Sequence, residues 1–143
     1  MPISASDGPQ VLVDMSAAVA LIVADHADHE ATFAALVDRR RGLAGHAAFE
    51  TFSVLTRLPG PARRTPATVA RVIAASFPHT RFLSAPGARA LLDALPHQGI
   101  AGGSVYDALI GAVAAEHGLP LATRDRRALE TYRALGVEVE LLG

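Results

Sequence analysis

An α/β fold, a parallel sheet flanked by helices on both faces, is what this sequence predicts, and three observations carry it. Short apolar runs, such as QVLV at Gln10 to Val13, alternate with longer stretches of helical periodicity. These runs are too uniformly apolar for strands wetted on one side, which puts them in a sheet buried on both faces. With 143 residues, half of them hydrophobic, the chain has the size of one domain with one core.

Taken in order, residues 1–9 read as a flexible tail ahead of a domain over 10–143. Gln10 to Val13 is the first strand and ends at Asp14. Ser16 is the predicted N-cap of a helix carrying Val19, Leu21, Ile22 and Val23. A second helix is predicted from about Asp28 to Arg40, with Phe33, Leu36 and Val37 inward. Arg39 to Arg41 form its last turn, where cations suit the dipole, and Gly42 ends it. Leu43 to Gly45 follows as a short strand. His46 to Leu58 is the next helix, with Phe49, Phe52, Leu55 and Leu58 toward the core, stopped by Pro59 and Gly60. Thr65 followed by Pro66 starts a helix that runs to about Phe77. Thr80 to Leu83 is a strand, and Ser84 caps a helix of Ala88, Leu91, Leu92 and Leu95 closed by Pro96. His97 to Gly103 is a glycine-bearing loop.

The stretch Ser104 to Asp125, SVYDALIGAVAAEHGLPLATRD, is the most structured part of the pattern. Ser104 reads as an N-cap, with Asp107 completing a capping-box-like S-x-x-D. Leu109, Ile110, Val113 and Ala114 recur at helical spacing, Gly118 stops the helix and Pro120 cannot extend it. Leu119 to Thr123 is an apolar strand with Asp125 just beyond its carboxyl end. A helix from Arg126 to Leu135, a stop at Gly136 and a final strand, VEVEL, complete a five-stranded reading.

Composition narrows the chemistry. There is no cysteine, which excludes disulfides, thiolate metal sites and a cysteine nucleophile. The N-terminus lacks the basic and apolar regions of a signal peptide, and no apolar run spans a bilayer. A cytoplasmic protein with no membrane partner is the expectation. All 13 basic residues are arginine, so every reaction that needs a lysine is excluded and every cation is a planar fork suited to phosphate. The net charge of −1 does not by itself point to a polyanion, but the arginines cluster at 39–41, 63–64 and 124–127.

The acids stand out more. In open parallel sheets the site lies beyond the carboxyl ends of the strands, where Asp14 and Asp125 are predicted. Asp107 or Asp125 taken alone reads as a helix cap. Asp107 opens the helix of the central stretch, and Glu50 sits inside HAAFETFSVLTRL with no lysine or arginine three or four positions away. Four carboxylates, Asp14, Glu50, Asp107 and Asp125, are therefore candidates for one site. Two of them about 4 Å apart repel by roughly 4 kcal/mol at an effective dielectric near 20, so a cluster takes up protons or a cation. Oxygen ligands without cysteine select Mg²⁺, or Mn²⁺, over zinc. Phosphodiester hydrolysis is the natural chemistry of such a site.

These residues resemble the PIN-domain ribonucleases, specifically the VapC-type toxins of bacterial toxin–antitoxin pairs. VLVDMSAAVAL, FETFSVLTRLP and VYDALIGAVAAEHGLPLATRD carry the resemblance, which spans roughly Val11 to Leu141. It implies a PIN-like domain with a five-stranded parallel sheet, and it matches Asp14, Glu50, Asp107 and Asp125 to the family's metal-site acids. Ser16 and Thr123 match its supporting hydroxyls. Met15 departs from it, since the family often has a small polar residue there. The resemblance further implies a homodimer, a VapB-type antitoxin, and an RNA substrate, tRNA or rRNA loops, whose cleavage inhibits translation.

Arg124, beside Asp125, and Arg57, seven residues beyond Glu50, are the expected phosphate contacts. Weaker signals are set aside: His26 and His29 fit a solvated helix start, His117 a helix end, Ser104 lies in no nucleophile elbow, and the glycines at 99, 102 and 103 form no phosphate loop. Two rivals remain. A receiver-like signalling module would need a lysine that is missing, and a catalytically silent PIN-fold binding protein would not need all four acids.

Overall fold

The computed structural model describes residue 3 and residues 7–143. Residues 1, 2 and 4–6 of the predicted tail lie outside the described residues, whereas the Ile3 N–H donates to Ser76 Oγ at 3.0 Å and its side chain packs on the core. The chain forms β1 (Gln10–Val13), α1 (Met15–Ile22), α2 (His29–Leu36), β2 (Arg40–Leu43), α3 (His46–Thr56), α4 (Pro66–Ser76), α5 (Ala85–Gln98), α6 (Ser104–His117), β3 (Leu121–Thr123), α7 (Leu129–Ala134) and β4 (Val139–Leu141). Short 3₁₀ turns at Gly60–Ala62 and Arg126–Ala128 complete it.

The sheet is parallel, in the order β2-β1-β3-β4. β1 is central: Val11, Leu12 and Val13 are fully buried, as helices on both faces require. The chain leaves β1 toward β2 on one side and later returns to β3 on the other. The boundary between β1 and β3 is thus the topological switch point. Val13 pairs with Ala122, so the residues just past them, Asp14 and Thr123, meet at that boundary.

The sheet has four strands rather than the five expected. The predicted strand Thr80–Leu83 is reduced to one bridge, Ala44 to Arg81, beside β2. Its backbone follows that edge, with His79 N–H donating to Arg41 O and Arg81 N–H to Leu43 O, but Pro78 ahead of it has no N–H to extend the ladder.

The second helix ends at Leu36, not Arg40, and Arg40 to Leu43 form β2. Arg41 is 1% exposed. Its guanidinium donates to the carbonyls of Leu36, Val37 and Arg39 and, from α4, of Ser76, at 3.0–3.2 Å. The cation does complement a helix C-terminus, but from a neighbouring strand. Gly42 is no helix stop: a Cβ there would lie 2.0 Å from the His79 carbonyl oxygen, so the close approach of that backbone requires glycine.

Other local expectations shift by a residue or a face. Asp14, not Ser16, caps α1. Gly103 rather than Ser104 occupies the cap position of α6, so no capping box forms. Thr65 and Ser84 cap α4 and α5 as predicted. Pro96 lies inside α5, which runs on to a left-handed Gly99. Phe49 and Phe52, assigned to the core, are 66% and 37% exposed; with Ile73, Phe77, Pro78 and Phe82 they line an apolar groove between α3 and α4. Phe33 and Leu92 are likewise exposed. Periodicity fixed the helices, but not how wide a stripe the single sheet covers.

Candidate active site

Four elements deliver the four acids. Asp14 ends β1, Glu50 lies in the middle of α3, Asp107 occupies the first turn of α6, and Asp125 follows β3. Asp14 is 3% exposed, and the other three are half-buried. Charge shows their convergence. Burial pushes the Glu50 carboxyl above the usual range; His46, one turn earlier, opposes this, while the charges of Asp107 and Asp14 add to it. Burial likewise raises Asp107, and Asp125 and Asp14 raise it further against the pull of Arg127. Acids 18 to 111 positions apart in the chain thus share one electrostatic site at the switch point.

Asp14 is the best held. Oδ1 accepts from Ser16 Oγ at 2.6 Å and from the Ala17 N–H at 3.2 Å. Oδ2 accepts from Thr123 Oγ1 at 2.5 Å and from the Tyr132 hydroxyl at 2.8 Å. Ser16 and Thr123 also tie down the loop after β3. Ser16 Oγ accepts the Arg124 N–H, and Thr123 Oγ1 accepts the Asp125 N–H. The expected hydroxyls are therefore in contact with the expected acid. Asp125 has a structural task as well, its Oδ1 accepting the Arg127 N–H at the start of the 3₁₀ turn.

Tyr132 is the residue that sequence reasoning missed. It lies on a six-residue helix without any motif. The only available signal was its kind, an aromatic body with a polar tip that seeks a partner when buried. His46 is a second neighbour of note, its ring stacked on Tyr106 with centroids 5.3 Å apart, which links α3 to α6 beside Glu50 and Asp107.

Two clefts flank the acids and meet at Met15. One, of about 390 Å³, is lined by Ser16, His26, Asp28, Arg124, Asp125 and Arg127 among others. The other, of about 290 Å³, is lined by His46, Phe49, Glu50, Ser53 and Arg57. Arg57 thus shares a cleft with Glu50. Arg124 lines its cleft with its guanidinium already engaged, on Asp28 Oδ1 at 2.9 Å and on Thr32 Oγ1 at 3.1 Å. Arg127 is 93% exposed and 3.4 Å from Asp125. His26 and His29 form no metal site: His26 accepts the Asp28 N–H, and His29 bonds the Ala20 carbonyl.

The donor set fits a hard divalent cation: carboxylate oxygens only, buried enough to raise two of them, and close enough to repel. Among the described residues no three acids or histidines are gathered tightly enough to chelate an ion.

A PIN domain family model matches residues 11–134. The chain is 44% identical over 131 residues to Ribonuclease VapC27 of Mycobacterium tuberculosis, a match covering 92% of this chain and 96% of that protein. Among solved structures it is similar to Mycobacterium tuberculosis VapC20, described as a sarcin-ricin loop cleaving toxin. That match has a TM-score of 0.64 and 20% identity over 85% of this chain and 94% of the other. It is also similar to the DNA-bound VapBC of Salmonella typhimurium, with a TM-score of 0.66 and 17% identity over 92% and 97%. At those identities the two structures speak for the fold.

Proposed function

The chain belongs to the PIN-domain family as a VapC-type endoribonuclease, and from that premise we propose that it is the Mg²⁺-dependent toxin of a toxin–antitoxin pair. The observation that carries the reading is the convergence of Asp14, Glu50, Asp107 and Asp125 from four elements onto the β1–β3 boundary, where burial and mutual repulsion raise Glu50 and Asp107.

In this reading Asp14 and Asp107 are the principal protein ligands, and Asp125 and Glu50 complete the set directly or through water. Mn²⁺ suits the same oxygens. A divalent ion supplies charge stabilisation on the scissile phosphate and lowers the pKa of an attacking water. The protein orients Asp14 through Ser16, Thr123 and Tyr132 and keeps Glu50 and Asp107 partly shielded from solvent. In the same reading Arg57, which shares a cleft with Glu50, and Arg127, which shares the other with Asp125, hold flanking phosphates. Arg124 serves chiefly to hold the loop.

A homodimer and an RNA substrate belong to the same reading, with structured loops of tRNA or rRNA favoured because their bases are splayed and accessible. An antitoxin is its partner, as in the VapBC neighbours. An antitoxin arginine among the carboxylates would form a bidentate charge-assisted pair and displace the metal. Mapping cut sites in total bacterial RNA with purified protein, with and without Mg²⁺, tests the proposal. Discrete cuts that need the ion and vanish on adding antitoxin support it; metal-independent or sequence-blind degradation overturns it.

A further inference from the structure

Tyr132 is 1% exposed, and its hydroxyl donates to Asp14 Oδ2 at 2.8 Å. The ring passes α6 at Gly111, where a Cβ would lie 3.2 Å from Tyr132 Cδ1. Gly111 is one helical turn beyond Asp107. One phenol thus ties the Asp14 carboxylate to the helix that carries Asp107.

A carboxylate offers about four acceptor positions, and those of Asp14 are all used: two on Oδ1 by Ser16 and Ala17, two on Oδ2 by Thr123 and Tyr132. A cation bonded directly to Asp14 takes the place of one donor. The Ala17 N–H is fixed in α1. Ser16 and Thr123 have short side chains that turn about one torsion, and their oxygens already accept the N–H groups of Arg124 and Asp125. The Tyr132 oxygen moves only with a ring packed in the core. A small hydroxyl is therefore the donor that yields, and Tyr132 the one that stays.

We propose that Tyr132 is a positioning residue of the metal site: its hydroxyl fixes the rotation of the Asp14 carboxylate and keeps it in register with α6 while an ion exchanges with Ser16 or Thr123. The inference rests on the reading that these acids hold a divalent ion.

Calorimetric titration of Mn²⁺ into wild type, Tyr132→Phe and Gly111→Ala, beside thermal melts of the metal-free proteins, tests it. Outer-shell partners typically set metal affinity by about 10–100-fold, so Tyr132→Phe is expected to weaken Mn²⁺ binding within that range. Gly111→Ala keeps the hydroxyl but must displace the ring by a few tenths of an ångström, and it is expected to weaken binding less, in the same direction. A purely structural tyrosine would lower the melting temperature of the metal-free protein and leave the Mn²⁺ Kd unchanged. A Kd within about threefold of wild type in a folded Tyr132→Phe, well below the outer-shell range, overturns the proposal. If that variant does not fold, a Gly111→Ala Kd equal to wild type overturns it instead. Absence of Mn²⁺ binding by wild type overturns the metal reading itself, an outcome distinct from equal binding by wild type and variants.

Discussion

Arg124 reaches from the loop after β3 to Asp28 ahead of α2, Nη2 to Oδ1 at 2.9 Å, and adds a bond from Nη1 to Thr32 Oγ1. The pair bridges two walls of the cleft beside Asp125. It also engages the guanidinium of one of the two arginines that flank that acid in sequence.

RNA affinity should therefore depend on other arginines. In a metal-free binding assay, Arg57→Ala and Arg127→Ala should each reduce the salt slope by about 0.7, the share of one phosphate contact on a single strand. Arg124→Ala should leave that slope unchanged and cost about 1 kcal/mol of stability, since Asp28 is half exposed. The reverse pattern, a slope lost with Arg124 alone, would place the RNA path along the α2 side.

Arg41 sets a second expectation. Arg41→Ala leaves the carbonyls of Leu36, Val37, Arg39 and Ser76 without its donors and opens a cavity in the core. A loss of about 3–5 kcal/mol in urea unfolding is expected. Arg41→Lys keeps a charge but not the planar fork, and should recover less than half of it. A loss under about 1 kcal/mol, the scale of a surface change, would mean that water satisfies those carbonyls.

Arg41 also shows where the sequence stopped being legible. A run of three arginines at a helix end reads as a solvated turn, because a buried arginine is rare and its partners here are carbonyls, which leave no mark in the sequence. Gly42 misread for a related reason: its cause is the backbone at His79, 37 residues away. Phe49 and Phe52 show the limit of helical periodicity, which finds an apolar face but not what covers it. By contrast the order of strands and helices was readable, and Asp14, Glu50, Asp107 and Asp125 could be picked out as candidates whose charges the fold brings within reach of one another. They depend on local signals: apolar runs, glycine stops, acids at predicted element ends, and a helical Glu50 with no lysine or arginine three or four positions away. Tyr132 carried no such signal, since its role comes from the packing of α7 on α6.

Asp14→Asn should separate a ligand that is also structural from one that is not. Asn presents an amide where Oδ2 accepts from Thr123 and Tyr132, and all four charge-assisted bonds weaken. A stability loss of about 1–3 kcal/mol is expected in the metal-free protein. Cleavage should fall by more than the roughly 100-fold typical of an outer-shell change. Retained cleavage with intact Mn²⁺ binding would remove Asp14 from the ligand set.

Asp107→Asn should act with the opposite sign on stability. The Asp107 carboxyl is raised by burial first, then by the charges of Asp125 and Asp14, and Arg127 offsets only part of this. A carboxyl with a raised folded-state pKa binds its proton more readily in the folded chain than in the unfolded one. Its ionisation therefore opposes folding above that pKa, and the penalty fades as the pH falls toward the unfolded value, about 3.9 for aspartate. The metal-free Asp107→Asn protein should melt above wild type at pH 7, and the gap should close on acidification through the raised pKa. Glu50→Gln should repeat the pattern, because burial, Asp107 and Asp14 raise it in the same sense. Saturating Mn²⁺ should invert the order, since wild type gains binding energy that the variant lacks. Melting curves from pH 4 to 8, with and without Mn²⁺, give all of these signs. A metal-free Asp107→Asn no more stable than wild type at pH 7, or a gap that widens with acid, would mean that the four carboxylates do not share one field.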